Sequence, residues 1–179
     1  MSEYRPRPNE FIFPADVLRV IDGDTIELML NRGGGDYYKS MCRLVSRDEG
    51  VDTPERNTDA GKMVRDYVAT RLDSAGHVQC QYQRFGKFAG RFLGCIFIDG
   101  LDLCDELIAL GMGYQYNGGH RREWTADALD RVIDSCRKHL PDMPRVLMGR
   151  VHSADDFSDE QLQQFKQDMD QELREWASV

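Results

Sequence analysis

The 179-residue sequence predicts an α+β fold: a small closed barrel of five strands with three packed helices, and one further helix near the C-terminal end. Three observations carry this expectation. Segments of β character come in two groups, three and then two. One segment of helical period follows the third strand and another follows the fifth. Hydrophobic residues make up 41% and charged residues 30% of the chain, the composition of a packed globule. No apolar run is long enough to span a bilayer, so no membrane partner is expected.

Taken in order, residues 1–14 read as an irregular arm broken by Pro6, Pro8 and Pro14. Val17 to Ile21 reads as the first strand, Asp22-Gly23-Asp24 as a tight turn, and Thr25 to Leu30 as the second strand. Asn31 to Asp36, with Gly33, Gly34 and Gly35, is a hairpin turn. It has neither the lysine nor the following helix of a phosphate-cradling loop. Tyr37 to Val45 is the returning strand. Met63, Val64, Tyr67, Val68 and Leu72 recur at helical spacing within 60–75, and Gly76 stands where a C′ glycine belongs.

Val78 to Phe85 and Arg91 to Ile98 read as the fourth and fifth strands, the latter ending in an Asp99-Gly100 turn. A short helix over Asp102 to Leu110 is closed by Gly111. Arg122 to His139 is read as a helix with Trp124, Leu129, Val132 and Ile133 on one side. Pro141 and Pro144 then interrupt. Ser158 and Gln161 form a capping-box pattern, and Phe157, Leu162, Phe165, Met169, Leu173 and Trp176 follow at helical spacing. The chain therefore divides into an arm (1–14), a barrel domain (15–140), and a linker with an acidic amphipathic helix (141–179). Such a helix docks on its own domain, or offers its stripe to a protein partner or a second copy.

Net charge is −8, and residues 151–179 hold −6 of it, from eight acids and two bases. A polyanion would have to be attracted by a local basic patch or a bound cation, not by global charge. The five cysteines, Cys42, Cys80, Cys95, Cys104 and Cys136, are odd in number and lack a CxxC pair, which points to buried, reduced thiols. The four histidines show no zinc-ligand spacing. The N-terminal residues lack the basic and apolar regions of a signal peptide, so a cytoplasmic location is expected.

Chemistry is concentrated in a few carboxylates and arginines. Asp24 follows one strand end, and Asp52-Thr53-Pro54-Glu55 follows another. Two strand-end aspartates with a backbone carbonyl make a hard, all-oxygen site suited to Ca²⁺, open enough for water to complete the shell. Pro54 stiffens the turn that presents both carboxylates. Guanidinium groups match the oxygens of a phosphodiester. The candidates are Arg43 or Arg47, on the strand before Asp52, and Arg91 at the start of a later strand.

Together these strings resemble a known family. Val20-Ile21-Asp22-Gly23-Asp24-Thr25 is similar to the opening motif of the staphylococcal nuclease (thermonuclease) family, and Gly50 to Glu55 to its metal-and-base turn. Lys87-Phe88-Ala89-Gly90-Arg91 resembles that family's Lys-aromatic-Gly-Arg turn with one extra residue. Asp105 to Gly111 looks like its short helix, and Tyr114 and Tyr116 like its nucleotide-contacting tyrosines. The resemblance spans roughly residues 17–140 and implies an OB-fold barrel with Ca²⁺-dependent nuclease activity on DNA or RNA. It implies Asp24, Asp52 and the Thr53 carbonyl as metal ligands, with Asp22 in support. Glu55 would be the general base, Arg43 and Arg91 the phosphate clamp, and Lys87, Tyr114 and Tyr116 substrate contacts.

The chain departs from the family at the first arginine. Arg47 has the family's spacing to Asp52, but Arg43 has its apolar flanks, Cys42 and Leu44. A hairpin folded about the centre of Asn31–Asp36 also sets Asp24 opposite Arg43. Residues 46–49 are then an insertion beside the site. Residues 141–179 have no counterpart in the minimal family domain. This acidity and the insertion leave an alternative reading, a weakly active or inactive module that binds nucleic acid or protein.

Overall fold

Three consecutive glycines set the hairpin that follows Asn31. Gly33, Gly34 and Gly35 have φ of +87°, +61° and +83°, a region that residues with a Cβ rarely adopt. The turn is closed by the Asp36 amide donating to the Gly33 carbonyl and the Arg32 amide donating to the Asp36 carbonyl, each at 2.9 Å. It joins β2 (Thr25–Asn31) to β3 (Tyr37–Ser46). Asn31 pairs with Tyr37 and Thr25 with Arg43. The ladder is thus shifted by one residue from the register expected, because the loop spans residues 32–36.

The computed structural model describes residues 11–46, 49–86, 90–119 and 121–140. The expectations for Lys87, Arg47 and the helix in 141–179 lie outside the described residues. β1 (Ile12–Asp22) precedes the hairpin, and β4 (Glu49–Asp52), α1 (Asp59–Asp73), β5 (Val78–Phe85) and β6 (Arg91–Ile98) follow it. Then come β7 (Leu101–Asp102), α2 (Leu103–Ala109), β8 (Tyr114–Tyr116) and α3 (Ala126–His139). The architecture is α+β, with an eight-stranded sheet in the order β7-β6-β5-β1-β2-β3-β4-β8 and three helices among the described residues. Its neighbours pair antiparallel, and a parallel pairing of β3 with β6 closes part of the sheet into a ring of β1, β2, β3, β6 and β5.

Those five ring strands are the five expected from the sequence. The other three are too short for a periodic signal, which needs several alternations to register. Ile12, Phe13 and Pro14, expected in the irregular arm, instead open β1 and pair with Gln81, Cys80 and Gln79 of β5. The first strand thereby pairs with β5 at its start and β2 along the rest. Helix α3 starts later than expected: Thr125 is extended, and its hydroxyl accepts from the Ala128 amide at 3.4 Å as N-cap. Gly76 is not the C′ residue of α1 either. Ser74 is the C-cap, and the Gly76 amide donates to the Asp99 carboxylate at 3.3 Å.

Alternation along β2 buries Ile26, Leu28 and Leu30, while β3 buries Cys42 and Leu44 and β6 buries Phe92, Ile96 and Ile98. Gly94 lets these strands crowd: a Cβ there would lie 2.8 Å from the Gln81 carbonyl and 3.1 Å from Cys42 Sγ. All five cysteines are buried thiols, and burial pushes the Cys42 thiol well above its ordinary pKa. No helix among the described residues is long and apolar enough to cross a membrane.

The first two helices are tied by one acid. Glu106 on α2 accepts a hydrogen bond from the Tyr67 hydroxyl and two from Arg71, at 2.8 and 3.0 Å, both donors standing on α1. Burial alone would raise the Glu106 pKa, but these bonds reverse the effect and hold it below its ordinary value. Its stabilisation is therefore present above the ordinary carboxylate range and is lost as pH falls. Glu106→Ala is expected to destabilise the fold by about 2 kcal/mol at neutral pH. In urea unfolding, the gap from wild type should shrink in acid.

Candidate functional site

The site is built where two turns meet. Asp22-Gly23-Asp24 joins β1 to β2, and Asp52-Thr53-Pro54-Glu55 leaves β4 for α1. Gly23 permits their approach, since a Cβ on it would lie 2.6 Å from Val64 Cγ1 and 2.9 Å from Thr53 Oγ1. Behind the second turn, a Cβ on Gly61 would overlap the Glu55 carbonyl, and one on Gly113 would overlap Val51. The Thr58 hydroxyl donates to the Glu55 carbonyl at 2.7 Å and accepts from the Gly61 amide at 3.0 Å. One N-cap thus fixes both the start of α1 and the end of the turn.

This packing buries two carboxylates. Asp24 and Asp52 are each 4% exposed. Arg43 Nη2 lies 2.7 Å from Asp24 Oδ2 and 3.8 Å from Asp52 Oδ1, so one guanidinium links both. Asp24 Oδ1 accepts from the Thr25 hydroxyl at 2.9 Å. Asp22 Oδ1 accepts from the Asp24 amide at 3.3 Å, which stiffens the turn. Burial outweighs the Arg43 pairing and pushes the Asp24 carboxyl up to about 7, and the neighbouring Asp22 charge adds to the rise.

The remaining residues singled out from the sequence fall as follows. Arg43 is the arginine beside Asp24, while Arg47 is outside the described residues. Thr53 is buried against Gly23. Glu55 is on the exposed side of its turn. Arg91 opens β6 and pairs with Met41, two positions before the Arg43–Leu93 pair of the same parallel ladder. Alternation then puts Arg91 and Arg43 on one face of the sheet. Asp52 pairs with Tyr114 and Gly50 with Tyr116, so the short β4–β8 ladder brings both tyrosines to the edge of the site. A cavity of about 190 Å³ opens there, lined by Glu49, Asp52, Tyr114, Gln115, Tyr116, Asn117 and Arg122.

Arg121 and Trp124 are neighbours that the sequence patterns did not identify. Arg121 Nε lies 3.5 Å from Asp52 Oδ1, and its Nη1 lies 3.2 Å from Glu55 Oε1. Trp124, expected on a helix face, instead stacks on Tyr114 with ring centres 4.2 Å apart. The Arg122 guanidinium sits 4.3 Å from the same ring centre. Tyr114 is thus packed against both an indole ring and a guanidinium. The adjacent Arg121-Arg122 pair, in an otherwise acidic chain, was the available signal for this side of the site.

Among the described residues no three His, Cys, Asp or Glu side chains form a metal cage. The donors present are two buried carboxylates and the adjacent Thr53 backbone, a set that fits a weakly held, hard cation with water completing its shell. A buried acid whose pKa is raised by desolvation is stabilised in its charged form by any cation it gains.

Two outcomes follow. Without metal, the folded protein keeps the Asp24 proton up to about pH 7, whereas the unfolded chain loses it near the ordinary value of 3.8. Stability from this group is therefore present in acid and lost as pH rises through that window. In chelator, Asp24→Asn should remove this part of the pH dependence of the urea midpoint. Gly61→Ala would add about 1 kcal/mol in an ordinary helix. Here it should instead destabilise by roughly 1–3 kcal/mol, read as a lower Tm, because its methyl meets the Glu55 carbonyl.

No protein-family model and no curated protein matches this chain.

Proposed function

We propose that this chain is a Ca²⁺-dependent phosphodiesterase that hydrolyses DNA or RNA, built on an OB-type barrel of the thermonuclease kind. The observation that carries the reading is the convergence of Asp24, Asp52 and Arg43, with Glu55 on the same turn as Asp52. The ring of five strands with helices after the third and fifth supports the barrel. The acidic chain makes its local cations count: Arg43 and Arg91 share the face on which a phosphate would lie.

The residues divide the work as follows. Arg43 and Arg91 bind the non-bridging oxygens of the phosphodiester and meet the charge that grows as water attacks phosphorus. Glu55 accepts the proton from that water. The P–O bond to the departing nucleoside breaks, and its oxygen takes a proton from solvent. Arg43, held by Asp24 on a paired strand, is fixed before substrate arrives, which lowers the reorganisation cost of the reaction. Tyr114 and Tyr116, paired on the ladder beside Asp52, contact the nucleotide. Asp24, Asp52 and the Thr53 carbonyl would hold Ca²⁺, which supplies Lewis-acid polarisation of the phosphate when bound.

The test uses plasmid, single-stranded DNA and RNA, each with Ca²⁺, Mg²⁺ or chelator. Wild type should cut with Ca²⁺ and stop in chelator, and folded Glu55→Gln should lose on the order of 10²–10⁴ in rate. Cleavage of nothing under any metal would sink the enzyme reading. Retained binding of the same substrates would then favour a binding module.

A further inference from the structure

Asp52 is met by two arginines that are held very differently. Arg43 is mostly buried on β3 and anchored to Asp24 at 2.7 Å. Arg121 is half exposed and lies in the segment between β8 and α3, just after Gly118 with φ +85°. Its ion-pair partners among the described residues are Asp52 and Glu55. These are the carboxylates that the functional reading needs for a cation and for the attacking water.

A divalent cation on Asp52 would sit about 2.3–2.6 Å from a carboxylate oxygen. A guanidinium 3.5 Å from Asp52 Oδ1 would then face two positive charges at close range. Arg43 is held in place by its strand and by Asp24. Among the described residues Arg121 has no strand pairing to hold it, and half of its side chain is exposed.

We propose that Arg121 is a tethered cation that covers Asp52 and Glu55 in the metal-free protein and competes with a divalent metal ion for them. The inference rests on the reading of Asp24 and Asp52 as the cation site. It adds a device that keeps the site closed at low metal concentration. Metal binding becomes an exchange: the guanidinium leaves the two carboxylates, and the metal ion takes its place on Asp52. The side chain is long enough to withdraw to the rim while its backbone stays put.

Calorimetric titration of Ca²⁺ into the chelator-treated full chain tests this. Arg121→Gln should tighten Ca²⁺ binding by about three- to tenfold, the scale of two partly exposed ion pairs. Arg122→Gln removes an equal charge from the same neighbourhood, but its guanidinium rests on Tyr114. It should leave the affinity within about twofold, given ionic screening. Asp52→Asn should abolish the binding, with circular dichroism showing each variant folded. Unchanged or weaker binding by Arg121→Gln overturns the inference, as does equal tightening by Arg122→Gln, which would make the effect one of general charge. Expected affinity ratios without hydrolysis of any substrate would sustain the inference and remove the nuclease reading. If neither wild type nor Arg121→Gln binds Ca²⁺, Mg²⁺ or Mn²⁺, both fall together.

Discussion

Two buried carboxylates that share one guanidinium are the constraint on which the rest of this structure depends. Asp24 and Asp52 lie on different turns, and each is almost wholly removed from water. Desolvation penalises the charged form of Asp24, and the neighbouring Asp22 charge adds to that penalty. Arg43 answers part of this by reaching both. Burial outweighs that pairing and pushes the Asp24 carboxyl up to about 7. A fold selected for stability alone has no reason to keep such an arrangement, and strongly perturbed groups of this kind gather where chemistry is done.

The surrounding architecture reads as what is needed to hold that constraint. Glycines at 23, 61 and 113 remove the Cβ atoms that would keep the two turns, the first helix and the segment before β8 apart. Thr58 joins the end of the Asp52–Glu55 turn to the first turn of α1. Glu106 ties α1 to α2, so the helix behind the turn is itself braced. Each contact is modest in energy. Their joint effect is to limit how far the two carboxylates can relax from each other.

The two arginines at Asp52 express opposite design choices. Arg43 is held on a paired strand, which the proposed role at a phosphate would require. Arg121 comes from irregular chain after two glycines, and its release from Asp52 and Glu55 is what the proposed metal exchange would require. Trp124 and Arg122 pack against Tyr114. The candidate site therefore has a floor of paired strands and a rim of irregular chain that leads into α3.

Much of this was legible in the residues. The five ring strands followed from alternation and turn residues, and the hairpin glycines fixed which strands are neighbours. The carboxylates of Asp24, Asp52 and Glu55 stood out because turn residues at strand ends are where a sheet presents its functional groups. Arg43 followed from its apolar flanks and an approximate register, although the ladder is offset by one residue. The strands β4, β7 and β8 were not legible, because segments so short owe their conformation to the strand they pair with. Trp124 was misplaced for a related reason: local pattern assigned residues 122–125 to a helix, whereas Thr125 caps α3 and the contact with Tyr114 decides what precedes it, and Arg121, outside any periodic segment, was not singled out. The sequence by itself determined the α+β class, the ring strands and the residue types at the site, because local sterics and hydrophobic period act over a few neighbours. Only the tertiary structure decided how deeply the aspartates are buried and which arginines meet them, because desolvation and Coulomb energy depend on groups that the chain brings together from distant positions.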